Sequence, residues 1–161
     1  MQKITPFLWF DNEAEEAMNF YVAIFENSKI LTVQRYGAEG AEAAERPQGS
    51  VMSANFQLNG QDFVALNGGP VYKITPAISF VVNCETQAEV DEMWAKLSAG
   101  GEEVQCGWLT DKFGVSWQIV PTQLGKLLGD PDPAKAGRVM QAMLQMKKID
   151  IAGLQRAYDA A

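Results

Sequence analysis

The chain has 161 residues, of which 47% are hydrophobic and 20% charged, with a formal net charge of −7. That length suits one domain with a real core, and that mix excludes a disordered chain. The acidic balance argues against nucleic acid, which needs a basic face, and no apolar run approaches the ~20 residues that span a bilayer.

Met1 to Pro6 lacks a charged region followed by an apolar stretch and is not expected to be a signal peptide. Ile4 to Phe10 is a β-prone run ending at Asp11-Asn12. Asn12 and Glu15 form a capping-box pattern, opening a helix whose apolar face is Ala14, Ala17, Met18, Tyr21 and Phe25. Lys29 to Tyr36 reads as a strand. Gly37 to Gly49, acidic and alanine-rich, reads as a mobile loop or a short surface helix, and a loop is the expectation. Ser50 to Leu58 and Gln61 to Leu66 are strands joined by Asn59-Gly60, a strong hairpin signal.

After Asn67-Gly68-Gly69-Pro70 the pattern restarts. Ala77 to Val82 is a strand, and Thr86 with Glu89 is a second capping box. Val90, Met93, Trp94 and Leu97 line one helix face, which stops at Ala99-Gly100-Gly101. A short strand near Glu103 to Gln105 follows. Gly107 to Thr110 and Val115 to Val120 then flank the turn Asp111-Lys112-Phe113-Gly114. Strand, capped helix and three strands thus occur twice; Phe10 falls on Val82 and Glu15 on Glu89, a period of 72–74 residues.

A helical tail completes the chain. Asp132-Pro133 starts one helix, with Val139, Met140, Met143, Leu144 and Met146 as its apolar stripe; Asp150 is expected to cap a last one through Ile151, Leu154 and Tyr158. The methionines suit either a promiscuous groove or a core or dimer contact, and the second is the expectation. Lys135, Arg138, Lys147, Lys148 and Arg156 read as a solvated helix face. Cys84 and Cys106 read as two buried or half-buried thiols, with a disulfide left open; they fit a reducing, cytoplasmic compartment.

Two such modules resemble the vicinal-oxygen-chelate superfamily of glyoxalase I, bleomycin-resistance proteins and extradiol dioxygenases, and especially its PhnB-like branch. The stretches that carry the resemblance are LWFDNEAEEAMNFY at 8–21, FQLNGQDFVALNGGP at 56–70, ISFVVNCETQAEVDEMW at 78–94 and CGWLTDKFGVSWQIVP at 106–121, with the tail at 130–158. The resemblance implies an α+β fold: two βαβββ modules forming a cupped mixed sheet, with a C-terminal helical tail. It makes residues 1–161 a single domain, with module one at 3–68, module two at 76–121 and the tail at 122–161. It also implies a homodimer. Many members of the branch carry the label 3-demethylubiquinone-9 3-methyltransferase. A methyltransferase of the usual α/β kind needs a glycine-rich turn after its first strand, where this chain has Asp11-Asn12-Glu13-Ala14, so methyl transfer is not expected.

Metal enzymes of the superfamily hold a divalent ion in the cup with His and Glu. Strand-for-strand alignment puts those positions near Thr5, Ala65 or a neighbour, Ala77 and Gln118, and the chain has no histidine. Asp62, Glu85 and Asp111 fall in loops and read as solvated turn residues. No metal and no cofactor are therefore expected. The lack of histidine also removes the usual general base, and Cys106 has no visible activating partner.

Strand alternation puts Thr5, Phe7 and Trp9 in the cup, with Leu8 and Phe10 toward the helix layer. Ala77, Ser79 and Val81 share the cup face, as do Ser116, Gln118 and Val120, while Trp117 packs under a helix and Asn67 sits at the rim. The candidate ligand-binding residues are Thr5, Phe7, Trp9, Asn67, Ser79, Ser116 and Gln118. They make either a small-molecule pocket or a filled core with a satisfied amide. Trp108 either walls its mouth or packs on the tail. The function expected is metal-independent small-molecule binding. The alternatives are a lyase, isomerase or dioxygenase with an atypical metal site, and an interaction module working through the tail.

Overall fold

Pro6 sets where the first sheet begins. In the computed structural model, which describes residues 2–161, Pro6 has no N–H to give a ladder, and its carbonyl accepts the Val64 N–H at 3.0 Å. Strand β1 is therefore Phe7–Phe10, shorter than the run from Ile4, and Thr5 precedes it. Helix α1 (Ala14–Ile24), β2 (Lys29–Arg35), α2 (Ala38–Ala44), β3 (Val51–Leu58) and β4 (Gln61–Asn67) follow. The sheet order is β1-β4-β3-β2, with β1 parallel to β4 and the other pairs antiparallel. Asn59 and Gly60 turn the β3–β4 hairpin at φ of 48° and 79°, the left-handed pair that a two-residue turn requires.

Leu8, Phe10, Ala54, Phe56, Phe63 and Ala65 are buried on the face toward α1, which buries Ala14, Ala17, Met18, Tyr21 and Ile24 in return. Tyr21 and Phe56 stack at 6.4 Å between centroids. The expected cap of α1 by Asn12 is not made. The Asn12 N–H is taken by Glu13 Oε2 at 3.0 Å, and the Ala14 N–H donates instead to Asn67 Oδ1 at 2.8 Å. Gly37 to Gly49 is not a loop throughout: α2 forms there. Alanine is the strongest helix former, Ala41 is buried, and Glu45 ends the helix in the left-handed region at φ 53°.

The second module repeats the plan. Its elements are β5 (Ser79–Cys84), α3 (Gln87–Ser98), β6 (Glu102–Glu103), β7 (Trp108–Thr110) and β8 (Ser116–Pro121), in sheet order β5-β8-β7-β6. Ala77 is not in the strand as expected. Pro76 interrupts, and the Ala77 and Ile78 N–H groups fold back onto Thr75 at 3.3 and 3.4 Å. The second capping pattern is made in half as expected: Thr86 Oγ1 accepts from the Glu89 N–H at 3.2 Å, but Glu89 Oε2 reaches one residue past the cap to the Glu85 N–H at 2.6 Å. Gly101 is required, since a Cβ there would stand 2.1 Å from the Thr110 carbonyl oxygen.

The tail, α4 (Thr122–Leu128), α5 (Pro133–Leu144) and α6 (Ile151–Asp159), packs on its own module. Leu124, Val139, Ile149 and Leu154 form a buried cluster against which Val120, Met143 and Met146 pack. The methionine stripe thus divides: Met143 and Met146 face that cluster, while Met140 and Leu144 are exposed. Cys106 and Gly107, at φ 59° and 83°, aim successive N–H groups at the carbonyls of Met146 and Lys147, both at 2.8 Å. Asp150 does not cap α6 through its side chain. Gln87 does, accepting the Ile151 N–H at 2.8 Å and donating to the Ile149 carbonyl at 3.0 Å. The basic residues are more than a solvated face: Arg138 donates to the Ala157 and Tyr158 carbonyls, Lys148 pairs with Asp91 at 2.7 Å, and Lys135 lies over the Tyr158 ring.

The α+β fold of two βαβββ modules with a helical tail is as the pattern implied, each module closing its own four-stranded mixed sheet. The chain divides into two compact units, Met1–Ile74 and Thr75–Ala161. No helix among the described residues is long and apolar enough to cross a membrane.

Candidate functional site

Each module offers one sheet face turned away from its helix. In the first, alternation and register place Phe7 and Trp9 of β1 beside Val64 and Leu66 of β4, then Asn55 and Ser53 of β3, then Thr32 and Gln34 of β2. Phe7 is 59% exposed. The face sorts itself: β1 and β4 contribute carbon, β2 and β3 contribute neutral polar groups. Asn55 Nδ2 donates to Thr32 Oγ1 at 2.9 Å, and Ser53 Oγ donates to Gln34 Oε1 at 3.3 Å. One row further, Gln57 Nε2 donates to Asp62 Oδ1 at 2.7 Å, so Asp62 is held by an amide.

Trp9 is fixed at the end of this face. Its indole N–H donates to the Gly69 carbonyl at 2.9 Å, its ring meets Tyr72 edge-on at 5.0 Å, and it covers Gly68 so closely that a Cβ there would lie 2.3 Å from the ring. Beside it Arg46 pairs with Asp11 at 2.8 Å and also donates to Asn12. Tyr72, Arg46 and the Thr32–Asn55 and Gln34–Ser53 pairs were not among the predicted site residues. The polar pairs had a signal, the alternation of Thr32 and Gln34 around Val33; Arg46 had none, because its partners lie 34 and 35 residues away.

Asn67 is not brought to this face. It is 7% exposed, and its side chain caps α1 and donates to the Val51 carbonyl at 3.1 Å. Its carbonyl accepts the Tyr36 hydroxyl at 2.6 Å. Thr5 lies just before β1, half-buried.

In the second module Ser79, Ser116 and Gln118 do come together. Ser79 stands opposite Ser116 in the parallel β5–β8 pair, and Gln118 Nε2 donates to Ser79 Oγ at 2.9 Å. Val81 and Trp108 flank Gln118 on the two neighbouring strands. Ser116 is only 1% exposed, so this face presents Ser79, Val81 and Asn83 of β5, Gln118 of β8, and Trp108 and Thr110 of β7. Trp117 is buried on the helix side, as alternation required.

Asp111 is not a solvated turn residue. It is 3% exposed, and its carboxylate accepts from the Phe113 N–H at 2.9 Å, the Val115 N–H at 3.0 Å and the Trp117 indole at 2.9 Å. The side chain closes the β7–β8 turn from within. Cys84 and Cys106 are both free thiols, the first buried and the second half-buried. Burial, then the Glu89 charge, pushes the Cys84 thiol up to about 11, which removes it as a nucleophile.

A divalent ion does not fit the positions the superfamily pattern assigns. Thr5 and Ala77 lie outside the strands, Ala65 is 0% exposed on the face toward α1, and the Gln118 amide is bonded to Ser79. Among the described residues no three Cys, Asp or Glu side chains gather where they could hold an ion.

Among curated proteins none matches the chain. The profile of the family described as 3-demethylubiquinone-9 3-methyltransferase matches residues 2–120, ending before α4. A PhnB protein from Bacillus cereus is 40% identical, over 75% of this chain and 100% of that one, with a TM-score of 0.67. A protein from Pseudomonas aeruginosa is 20% identical over 75% of this chain and 98% of that one, with a TM-score of 0.61. The fosfomycin resistance protein FosX from Listeria monocytogenes is 14% identical over 80% of this chain and 98% of that one, with a TM-score of 0.56. The last two share the fold alone.

Proposed function

The chain belongs to the 3-demethylubiquinone-9 3-methyltransferase (PhnB-like) family, with the vicinal-oxygen-chelate fold, and from that premise we propose that it is a small-molecule-binding protein that works without a resident metal. The observation that carries this reading is the make-up of the open sheet faces. Phe7, Trp9, Val64 and Leu66 in one module, and Val81, Trp108, Ser79 and Gln118 in the other, combine apolar surface with a few neutral hydrogen-bonding groups. Such surfaces hold small ligands.

Thr5, Phe7 and Trp9 in the first module and Ser79 and Gln118 in the second are the residues assigned to binding; Asn67 and Ser116 support them from beneath. What speaks against methyl transfer is the strand order within each sheet and the glycine-free turn Asp11-Asn12 after β1, since a parallel α/β sheet with a glycine-rich first turn is the usual cradle for that cofactor. The protein acts as a homodimer in the cytoplasm. Exposed Ile4, Val71 and Tyr72 supply apolar surface for association, and the two free thiols suit a reducing compartment.

Elemental analysis and native mass spectrometry of protein purified without added metal test the reading. Substoichiometric divalent metal together with a co-purified small molecule is the expected result. Stoichiometric metal whose removal abolishes that binding overturns it, and tight binding of S-adenosylmethionine favours the methyltransferase instead. Light scattering should return twice the 17.7 kDa of one chain.

A further inference from the structure

We infer that the open face of the β1-β4-β3-β2 sheet selects an uncharged, flat, amphipathic molecule, an aromatic ring system bearing a hydroxyl or carbonyl, over its anionic and cationic analogues. This inference rests on the small-molecule reading above and narrows it to a ligand class. Phe7 and Trp9 with Val64 and Leu66 make a carbon surface on two strands, and in the same two rows the next two strands carry only the neutral polar groups Asn55, Ser53, Thr32 and Gln34. The internal bonds of those groups leave capacity on both sides. Asn55 Nδ2 and Gln34 Oε1 are engaged, so Asn55 Oδ1 can accept and the Gln34 amide nitrogen can donate.

Two strand spacings separate β1 from β3, roughly 10 Å, which a two-ring molecule with one polar end can bridge. No cation stands in either row to meet a carboxylate or phosphate. The next row, Asp62–Gln57–Lys29, carries one charge of each sign, with Asp62 bonded to Gln57. An anion laid over these rows would exchange its hydration for neutral donors alone, such as the Gln34 amide nitrogen, with no cation in either row to balance its charge. An ammonium could gain from the aromatic faces, but one side of the Trp9 ring is covered by Gly68, and Tyr72 packs on the ring at 5.0 Å in a T-shaped contact.

Isothermal titration of the full chain with three matched probes, 2-naphthol, 2-naphthoate and 2-naphthylmethylammonium, tests this at neutral pH. Naphthol should bind about tenfold or more tightly than either ion. Phe7→Ala, at an exposed position that tolerates truncation, should weaken all three probes alike. Asn55→Leu should weaken naphthol and leave the ions unchanged. An ion binding as tightly as naphthol overturns the ligand class while small-molecule binding stands. If none of the three binds at millimolar concentration but a small molecule co-purifies, the inference again fails alone. If none binds and nothing co-purifies, the small-molecule reading falls with it.

Discussion

Asn67, the last residue of β4, caps α1: its Oδ1 accepts the Ala14 N–H at 2.8 Å while its Nδ2 donates to the Val51 carbonyl at 3.1 Å. One amide thus ties the end of a strand to the start of the helix that covers it. Asn67→Ala should cost about 2–4 kcal/mol, because a cap is lost and two buried backbone groups are left without partners. Asn67→Asp keeps the first bond and loses the second, so its urea midpoint should fall between those of the native protein and the alanine variant.

Gly68→Ala drives a methyl group into the Trp9 ring, which a Cβ would approach to 2.3 Å. A loss of about 1–3 kcal/mol is expected, with a red shift in tryptophan emission as the ring moves toward water. A double-mutant cycle with Trp9→Ala should show coupling, since removing the ring relieves the clash. Additive losses would mean that the glycine serves the backbone alone.

Asp111→Asn replaces one carboxylate oxygen with a donor. Either the Trp117 indole N–H, or both the Phe113 and Val115 N–H groups that share Oδ1, must then face an NH2 group. The expected cost is about 2–3 kcal/mol, read by denaturation, with faster hydrogen exchange at Val115. Unchanged stability would show that the buried carboxylate is not what holds the turn.

Cys84 titrates near 11, raised from 9.0 by burial and by Glu89. In the unfolded chain the thiol ionises near its ordinary value, and in the folded chain it keeps its proton. The stability this contributes is complete below pH 9.0 and is lost as pH rises toward about 11. Cys84→Ala should flatten the alkaline limb of the stability profile. Thiol reagents at pH 8 should label Cys106 well before Cys84, and equal rates would contradict the burial.

The doubled module was legible because its markers are local. Thr86 and Glu89 cap a helix three residues apart, and Asn59-Gly60 turns a hairpin by its own conformational preference. Alternation likewise put Phe7 and Trp9 on one face and brought Ser79 beside Gln118. What escaped depends on partners distant in sequence. The cap of α1 comes from 53 residues away and that of α6 from 64, so nearer capping residues, Asn12 and Asp150, drew the expectation. Asp111 looked like a surface turn because nothing in a turn sequence reports that Trp117 donates into it. The strand starts were misplaced where proline, at 6 and 76, removes an N–H from the ladder.

The hook formed by Cys106 and Gly107 sets an order of events during synthesis. The first unit draws its sheet and helix entirely from residues up to Ile74, so it can fold as soon as that stretch is free. The second cannot. Its β7 loop waits for the carbonyls of Met146 and Lys147, α6 starts on Gln87, and the cluster under β8 needs Ile149 and Leu154. A nascent chain halted at residue 130 would carry a finished first module and a second with Val120 uncovered. Residues 131–161 therefore reach the second module late, and its β7 loop and the underside of β8 are completed only when they arrive.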